Sequence, residues 1–184
     1  MTEIVIRKAV AEDADNIVVL VNTAYRPEPG SEGWTHEASL VSGSRIDSAQ
    51  VSDALETSTI LVAASGVQVV GCVQIQAKGQ ESHIGMLAVL PSAQTAGLGK
   101  LLLAEAESFA KSNFGAELFV LLVVAERREL IDFYLRRGYK ETGDFRAYPV
   151  EAGVGTPFNP NARLAVLHKS SNKAHQHAQR APVC

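Results

Sequence analysis

Hydrophobic and polar positions along this chain alternate between two periods. Ile4-Val5-Ile6-Arg7 is a short β-branched run; Ala11, Glu12, Asp13, Ala14 and Asp15 follow, with acids that suit the first turn of a helix reaching Tyr25. Ile17, Leu20, Val21 and Ala24 recur at helical spacing within it. Pro27, Pro29, Gly30 and Gly33 break the pattern, and the polar stretch beyond carries only weak helical signals, over 35–42 and 48–56. Residues 59–65 and 67–77 read as strands around a Ser65-Gly66 turn, and Gly79-Gln80 separates the second from 81–90, which predicts an antiparallel meander. A helix is predicted over 98–113, with Leu98, Leu101, Leu102 and Phe109 on its apolar stripe and Asn113 and Gly115 as its stop. Residues 118–124 form a continuous apolar run, the mark of a strand buried on both faces and parallel to the one before the helix. A short helix over 129–137 ends at Gly138, and 139–142 and 164–168 read as two last strands joined by a Pro/Gly-rich loop. The order predicts one α/β domain over 1–168 with a mixed α+β sheet, followed by a polar, aperiodic tail over 169–184 expected to be disordered.

The chemistry concentrates where the 81–90 strand meets the next helix, in Gln94-Thr95-Ala96-Gly97-Leu98-Gly99-Lys100. Glycines let the backbone approach a ligand closely, and the unpaired N–H groups of a helix N-terminus favour an anion, so the expected ligand carries phosphate. A P-loop is excluded: Gln94 stands where its first glycine belongs, and Leu101 follows Lys100 where Ser or Thr would meet magnesium. The dinucleotide fingerprint fails too, because Leu102 occupies the place of its third glycine.

Gln94-x-x-Gly97-x-Gly99 resembles the Q/R-x-x-G-x-G/A signature of the GCN5-related N-acetyltransferases (GNAT). Leu87-Ala88-Val89-Leu90-Pro91 looks like that family's fourth strand, and Ile131–Tyr139 like its later A-x-x-x-Y-x-x-x-G-F/Y segment. The resemblance implies the GNAT fold, a mostly antiparallel sheet whose fourth and fifth strands splay to admit acetyl-CoA. It implies transfer of acetyl from acetyl-CoA, the co-substrate, to a primary amine by direct attack in a ternary complex. The acceptor would be a small-molecule amine or amino-acid derivative; a protein N-terminus or lysine, or a non-catalytic acyl-CoA-binding module, are the alternatives.

Carried over residue by residue, Leu87, Ala88 and Val89 would meet the pantetheine arm through their backbone, with an N–H there as oxyanion donor. Gln94, Thr95, Ala96, Gly97, Leu98 and Gly99 would turn backbone N–H groups on the two phosphates, with Lys100 adding a charge at the edge. Tyr134 matches the general acid that returns a proton to the thiolate. Arg127, seven residues earlier, stands where relatives often carry a cofactor-contacting Asn; it could meet a phosphate or face solvent. His83 is the candidate base, with an ordinary pKa of about 6.5 and a position on the strand face of Gly85 and Leu87; Glu81, acting through water, is the substitute. Arg45 or Arg146 could hold an acceptor carboxylate and Glu37 an ammonium, while Trp34, His36 and Tyr148 lie in segments that wall the acceptor pocket in the family.

Composition narrows the rest. The chain has 184 residues, 46% hydrophobic and 20% charged, enough for one sizeable core. A formal net charge of -3 argues against nucleic acid as a partner. No apolar run has bilayer length and the first residues lack the apolar core of a leader, so neither export nor a membrane is expected and a cytoplasmic location is. Two cysteines make no disulfide framework; Cys72 in an apolar run reads as a core residue, and no metal site is expected, His175 and His177 included. Dimers are frequent in the family, so a homodimer is an open expectation.

Overall fold

The computed structural model describes residues 4–27 and 36–171. Its elements run β1 (Ile4–Lys8), α1 (Ala14–Tyr25), β2 (Val41–Ser42), α2 (Ser48–Thr57), β3 (Thr59–Ser65), β4 (Gln68–Lys78), β5 (Glu81–Val89), α3 (Leu98–Phe114), β6 (Leu118–Val124), α4 (Arg128–Leu135), β7 (Lys140–Ala147), β8 (Thr156–Pro157) and β9 (Arg163–Ser170). The fold is the expected mixed α/β arrangement with a mostly antiparallel sheet.

Seven strands form that sheet in the order β1-β3-β4-β5-β6-β9-β7, and β5–β6 is its parallel pair. That pair is short: Glu81, Ser82 and His83 stand against Leu118, Phe119 and Val120, and from Gly85 onward β5 has no partner on β6. The splay lies between the fifth and sixth strands by this count, because the two-residue β2 precedes them. On its other side β5 is bulged. Cys72 pairs with Ala88 and Gln74 with Gly85, which leaves Val73 alone opposite Met86 and Leu87. Met86 adopts φ 49°, the one positive φ on a non-glycine among the described residues.

Strand alternation sorts the core into two layers. Leu61 and Ala63 of β3 face α3 and the inner side of α4, whereas Ile60 and Val62 face α1 and α2. Helix α3 comes close enough to β4 that a Cβ on Gly71 would sit 2.7 Å from Leu102 Cδ1 and 3.3 Å from Ala88 O, so a larger residue there requires Leu102 to shift. Its buried stripe is Leu98, Leu102, Leu103, Ala106 and Ala110; Leu101, expected inside, is 48% exposed. Leu122 corrects the reading of 118–124 as buried throughout: it is 44% exposed where β6 borders the splay.

The stretch between α1 and α2 holds no helix over its described part before Ser48. Instead β2 pairs with β8, Val41 with Pro157 and Ser42 with Thr156, which draws the late loop against it. Gln50 Nε2 donates to the Ala152 carbonyl at 2.7 Å and Arg26 Nη2 to the Val154 carbonyl at 3.1 Å. Helix α2 starts on a reciprocal cap, Gln50 N donating to Asp47 Oδ1 at 2.8 Å and Asp47 N to Gln50 Oε1 at 2.9 Å. Strand β9 runs two residues past the expected domain end, to Ser170. Among the described residues no helix is long and apolar enough to cross a membrane.

Candidate active site

Two cavities open along the splay. The first, of about 320 Å³, lies over the start of α3 and is bordered by Leu87, Val89, Gln94, Gly97, Gly99 and Lys100. A 3-10 turn, Pro91–Ala96, carries the chain into it, so Thr95 and Ala96 sit in that turn. Gly97 then takes φ 72°, ψ 12° as the N-cap of α3, and no side chain caps the helix. The first turn of α3 therefore borders the cavity without a side-chain cap from its own N-cap residue, an arrangement that suits an anion. A Cβ at Gly97 would meet nothing within 4 Å; what requires glycine there is the left-handed backbone. Gln94 Nε2 donates to the Val89 carbonyl at 3.2 Å, tying the turn to the end of β5.

Arg136 and Arg137, at the end of α4, border the same cavity. Arg137 lies 3.4 Å over the Phe133 ring and donates to the Phe133 carbonyl at 2.6 Å. Sequence reasoning passed over both; their only signal was a basic pair directly after the tyrosine segment. With exposed Lys100 they give the glycine turn three nearby cations.

The second cavity, of about 310 Å³, lies on the other side of Leu87 and is bordered by His83, Gly85, Glu37, Arg45, Tyr134 and Tyr148, among others. His83 is partly buried, with Glu81 Oε2 3.6 Å from its Nε2. Burial, then the charge of Lys78, pull its pKa below the usual value against the opposing pull of Glu81, so the imidazole is neutral near pH 7 and can accept a proton. Tyr134 is 5% exposed and stacks edge-on against Phe133 and Tyr139 at 5.3 and 5.8 Å. Burial pushes its phenol well above the ordinary value, which keeps it a proton donor, and its hydroxyl makes no hydrogen bond to a described residue.

Tyr25, Leu87, Arg127 and Leu130 border both cavities and mark where they meet. Arg127 does not face solvent: it is 3% exposed, with Nη1 3.7 Å from Glu37 Oε1 and Nε 3.4 Å from Glu129 Oε1. Glu37 is 4% exposed, and Arg26 Nη1 lies 3.3 Å from its other oxygen. Tyr25, read from the sequence only as a helix end, donates its hydroxyl to the Leu87 carbonyl at 3.2 Å. Arg146 is exposed on β7 and borders neither cavity. Cys72 is fully buried, and burial pushes its thiol up to about 12, so it stays protonated and inert. Trp34, His175 and His177 lie outside the described residues.

A helix start at a left-handed glycine lies beside the strand edge left open by the splay, with Tyr134 and His83 bordering the second cavity. Residues 56–141 match the acetyltransferase (GNAT) domain family. This segment is a GNAT acetyltransferase domain. It holds the bulge, the glycine turn, Arg127 and Tyr134 together. No curated protein matches the chain in sequence. Solved structures with the GNAT fold are similar over nearly their whole length. An IAA acetyltransferase of Bacillus cereus shares 18% identity at a TM-score of 0.64, covering 91% of this chain and 99% of that one. A ribosomal-protein-alanine N-acetyltransferase of Brucella melitensis shares 21% at 0.66, covering 90% and 99%. A GNAT family acetyltransferase of Elizabethkingia anophelis, solved with acetyl-CoA bound, shares 17% at 0.64, covering 92% and 99%. Likeness at these identities is a likeness of fold.

Acetyl-CoA fits the residues of this GNAT domain. Its pyrophosphate suits the open N-terminus of α3 with Lys100, Arg136 and Arg137 around it. The edge of β5 without a β6 partner suits the amides of its pantetheine arm, with the Leu87 and Val89 carbonyls already accepting from Tyr25 and Gln94.

Proposed function

We propose that this protein transfers an acetyl group from acetyl-CoA to a primary amine of a small molecule or amino-acid derivative, by direct attack in a ternary complex. The observation that carries the reading is the meeting of the two cavities at Leu87, with the glycine turn in one and His83 in the other. Acetyl-CoA supplies the thioester. His83, with Glu81 beside it, takes the proton of the incoming ammonium. The amine then forms the N–C bond as the C–S bond breaks, and a backbone N–H of the Leu87–Val89 segment supports the oxyanion. Tyr134 donates its proton to the departing thiolate and is reprotonated by the second proton, which the nitrogen sheds as the amide forms. An acceptor cavity of about 310 Å³ is of small-molecule size.

Calorimetry of acetyl-CoA against the native chain and Gly97→Asp tests the cofactor half. Binding that disappears in the variant supports the site, and a native chain that does not bind removes the proposal. A panel of small amines set against peptide N-termini and lysine peptides tests the acceptor half; turnover confined to peptides would favour the protein-directed alternative.

A further inference from the structure

The charge of the acceptor cavity is one-sided. Among the described residues Arg45, Lys78 and Arg127 border it, against one carboxylate, Glu37. That carboxylate is 4% exposed and is ion-paired with two guanidinium groups, Arg26 3.3 Å from Oε2 and Arg127 3.7 Å from Oε1, while Oε2 has no hydrogen-bond partner among the described residues. Its negative charge is already balanced by those two cations. A lysine side chain or polyamine entering here would meet Arg45 and Lys78, like charges in a partly desolvated space where repulsion is poorly screened.

The cations are the groups with capacity left. Arg127 Nη2 is buried and has no hydrogen-bond partner, although Nη1 and Nε are held by Glu37 and Glu129. Arg45 is partly buried and has no carboxylate partner among the described residues; its guanidinium rests 5.3 Å from the Tyr25 ring centre. The Arg127 guanidinium lies 6.0 Å from the same ring, so two cations converge on one aromatic platform at the junction of the cavities. Tyr25 thereby sets their direction, while the pair with Glu37 fixes Arg127 as a rigid donor.

We infer that the acceptor bears a carboxylate beside its amine, and that Arg45 and Arg127 hold that carboxylate around the Tyr25 ring. His83 borders the same cavity and is left to face the amine. The substrate class is then amino acids, with the carboxylate as the selected group. This rests on the acetyl-transfer reading of the cavity.

The test compares α- and β-amino acids with their own carboxamides, which keep the amine and side chain and replace the carboxylate by a neutral group, at a pH where both amines are equally protonated. Two readouts are taken: binding to the chain loaded with coenzyme A, by saturation-transfer NMR, and steady-state acetylation. At least one amino acid is expected to bind, with a KM about tenfold or more below its carboxamide, as loss of a charge-assisted hydrogen bond implies. Arg45→Gln should raise that KM about tenfold with kcat nearly unchanged, the signature of lost uniform binding. Arg146→Gln, on exposed β7, should change neither. Amino acids that bind through Arg45 without being acetylated would sustain the carboxylate site and sink the transferase reading. Failure of every amino acid to bind, carboxamides bound equally well, or an Arg45→Gln chain indistinguishable from native overturns the inference, whatever acetyl transfer is seen on other amines.

Discussion

The Tyr25 hydroxyl donates to the Leu87 carbonyl across 3.2 Å, fastening the last turn of α1 to β5 just past the left-handed Met86. The expected opening of the β5 edge at Leu87 is thus partly closed on its carbonyl side. Tyr25→Phe keeps the ring on which Arg45 and Arg127 rest and removes that bond. A loss of about 1 kcal/mol in unfolding free energy is expected, the ordinary cost of one such bond, together with a raised KM for acetyl-CoA. Denaturant titration and acetyl-CoA kinetics measure both; no change in either would show that the bond has no part in placing Leu87.

Tyr134→Phe separates chemistry from binding. The ring keeps its edge-on neighbours Phe133 and Tyr139, so folding and acetyl-CoA affinity should hold. Turnover should fall on the order of a hundredfold, the usual contribution of a positioned acid. Equal kcat in the variant would remove Tyr134 from the mechanism.

The pH profile follows from His83. Its base form exists above its pKa, which burial and Lys78 hold below the ordinary value, so kcat/KM should rise through a pH under about 6.5 and the base should be fully available above it. Lys78→Gln removes one of the lowering influences, and the rise should move to higher pH. His83→Gln should abolish this limb, leaving only the titration of the acceptor's own ammonium. A native profile without it would shift the role of base to water.

Gly97 and Gly99 differ in what they require. Gly97 is left-handed at φ 72°, so Gly97→Ala should cost roughly 1–2 kcal/mol of strain. Gly99 has ordinary room, an added Cβ lying 3.8 Å from Val89 Cγ2 and 3.9 Å from Phe133 Cζ. Gly99→Ala should therefore fold with undiminished thermal stability while narrowing the cavity over α3. Lower acetyl-CoA affinity at equal melting temperature is the expected result; unaltered affinity would place the ligand away from Gly99.

Much of this was legible because local chemistry encodes it. The run 118–124 is β6 to the residue, since continuous apolar sequence leaves no other element of that length. The glycine turn into α3 was legible as a turn, because the left-handed backbone at its start is fixed by where Gly97 falls. Strand β7 was read as 139–142 and runs Lys140–Ala147, because every one of its side chains is exposed and no alternation marks it. Residues 36–47 owe their path to distant partners, β8, Phe158 and Asn22, which leave no local trace. Glu37 looks like an ordinary loop acid in sequence; only folding brings Arg26 and Arg127 onto it.

The brief β5–β6 ladder has a consequence for the molecule as a whole. Three residue pairs are all that stitch β1-β3-β4-β5 to β6-β9-β7 through the sheet itself. An extended ligand laid along Gly85–Val89 stands in for the rungs that are missing, as a graft closes a graft-shaped gap. Occupancy then becomes a mechanical property: the filled protein is one continuous sheet and the empty one is two leaves joined at a hem. Hydrogen exchange along Leu87–Val89 and Leu121–Val124 should slow together when acetyl-CoA is added, because one bound molecule completes both margins.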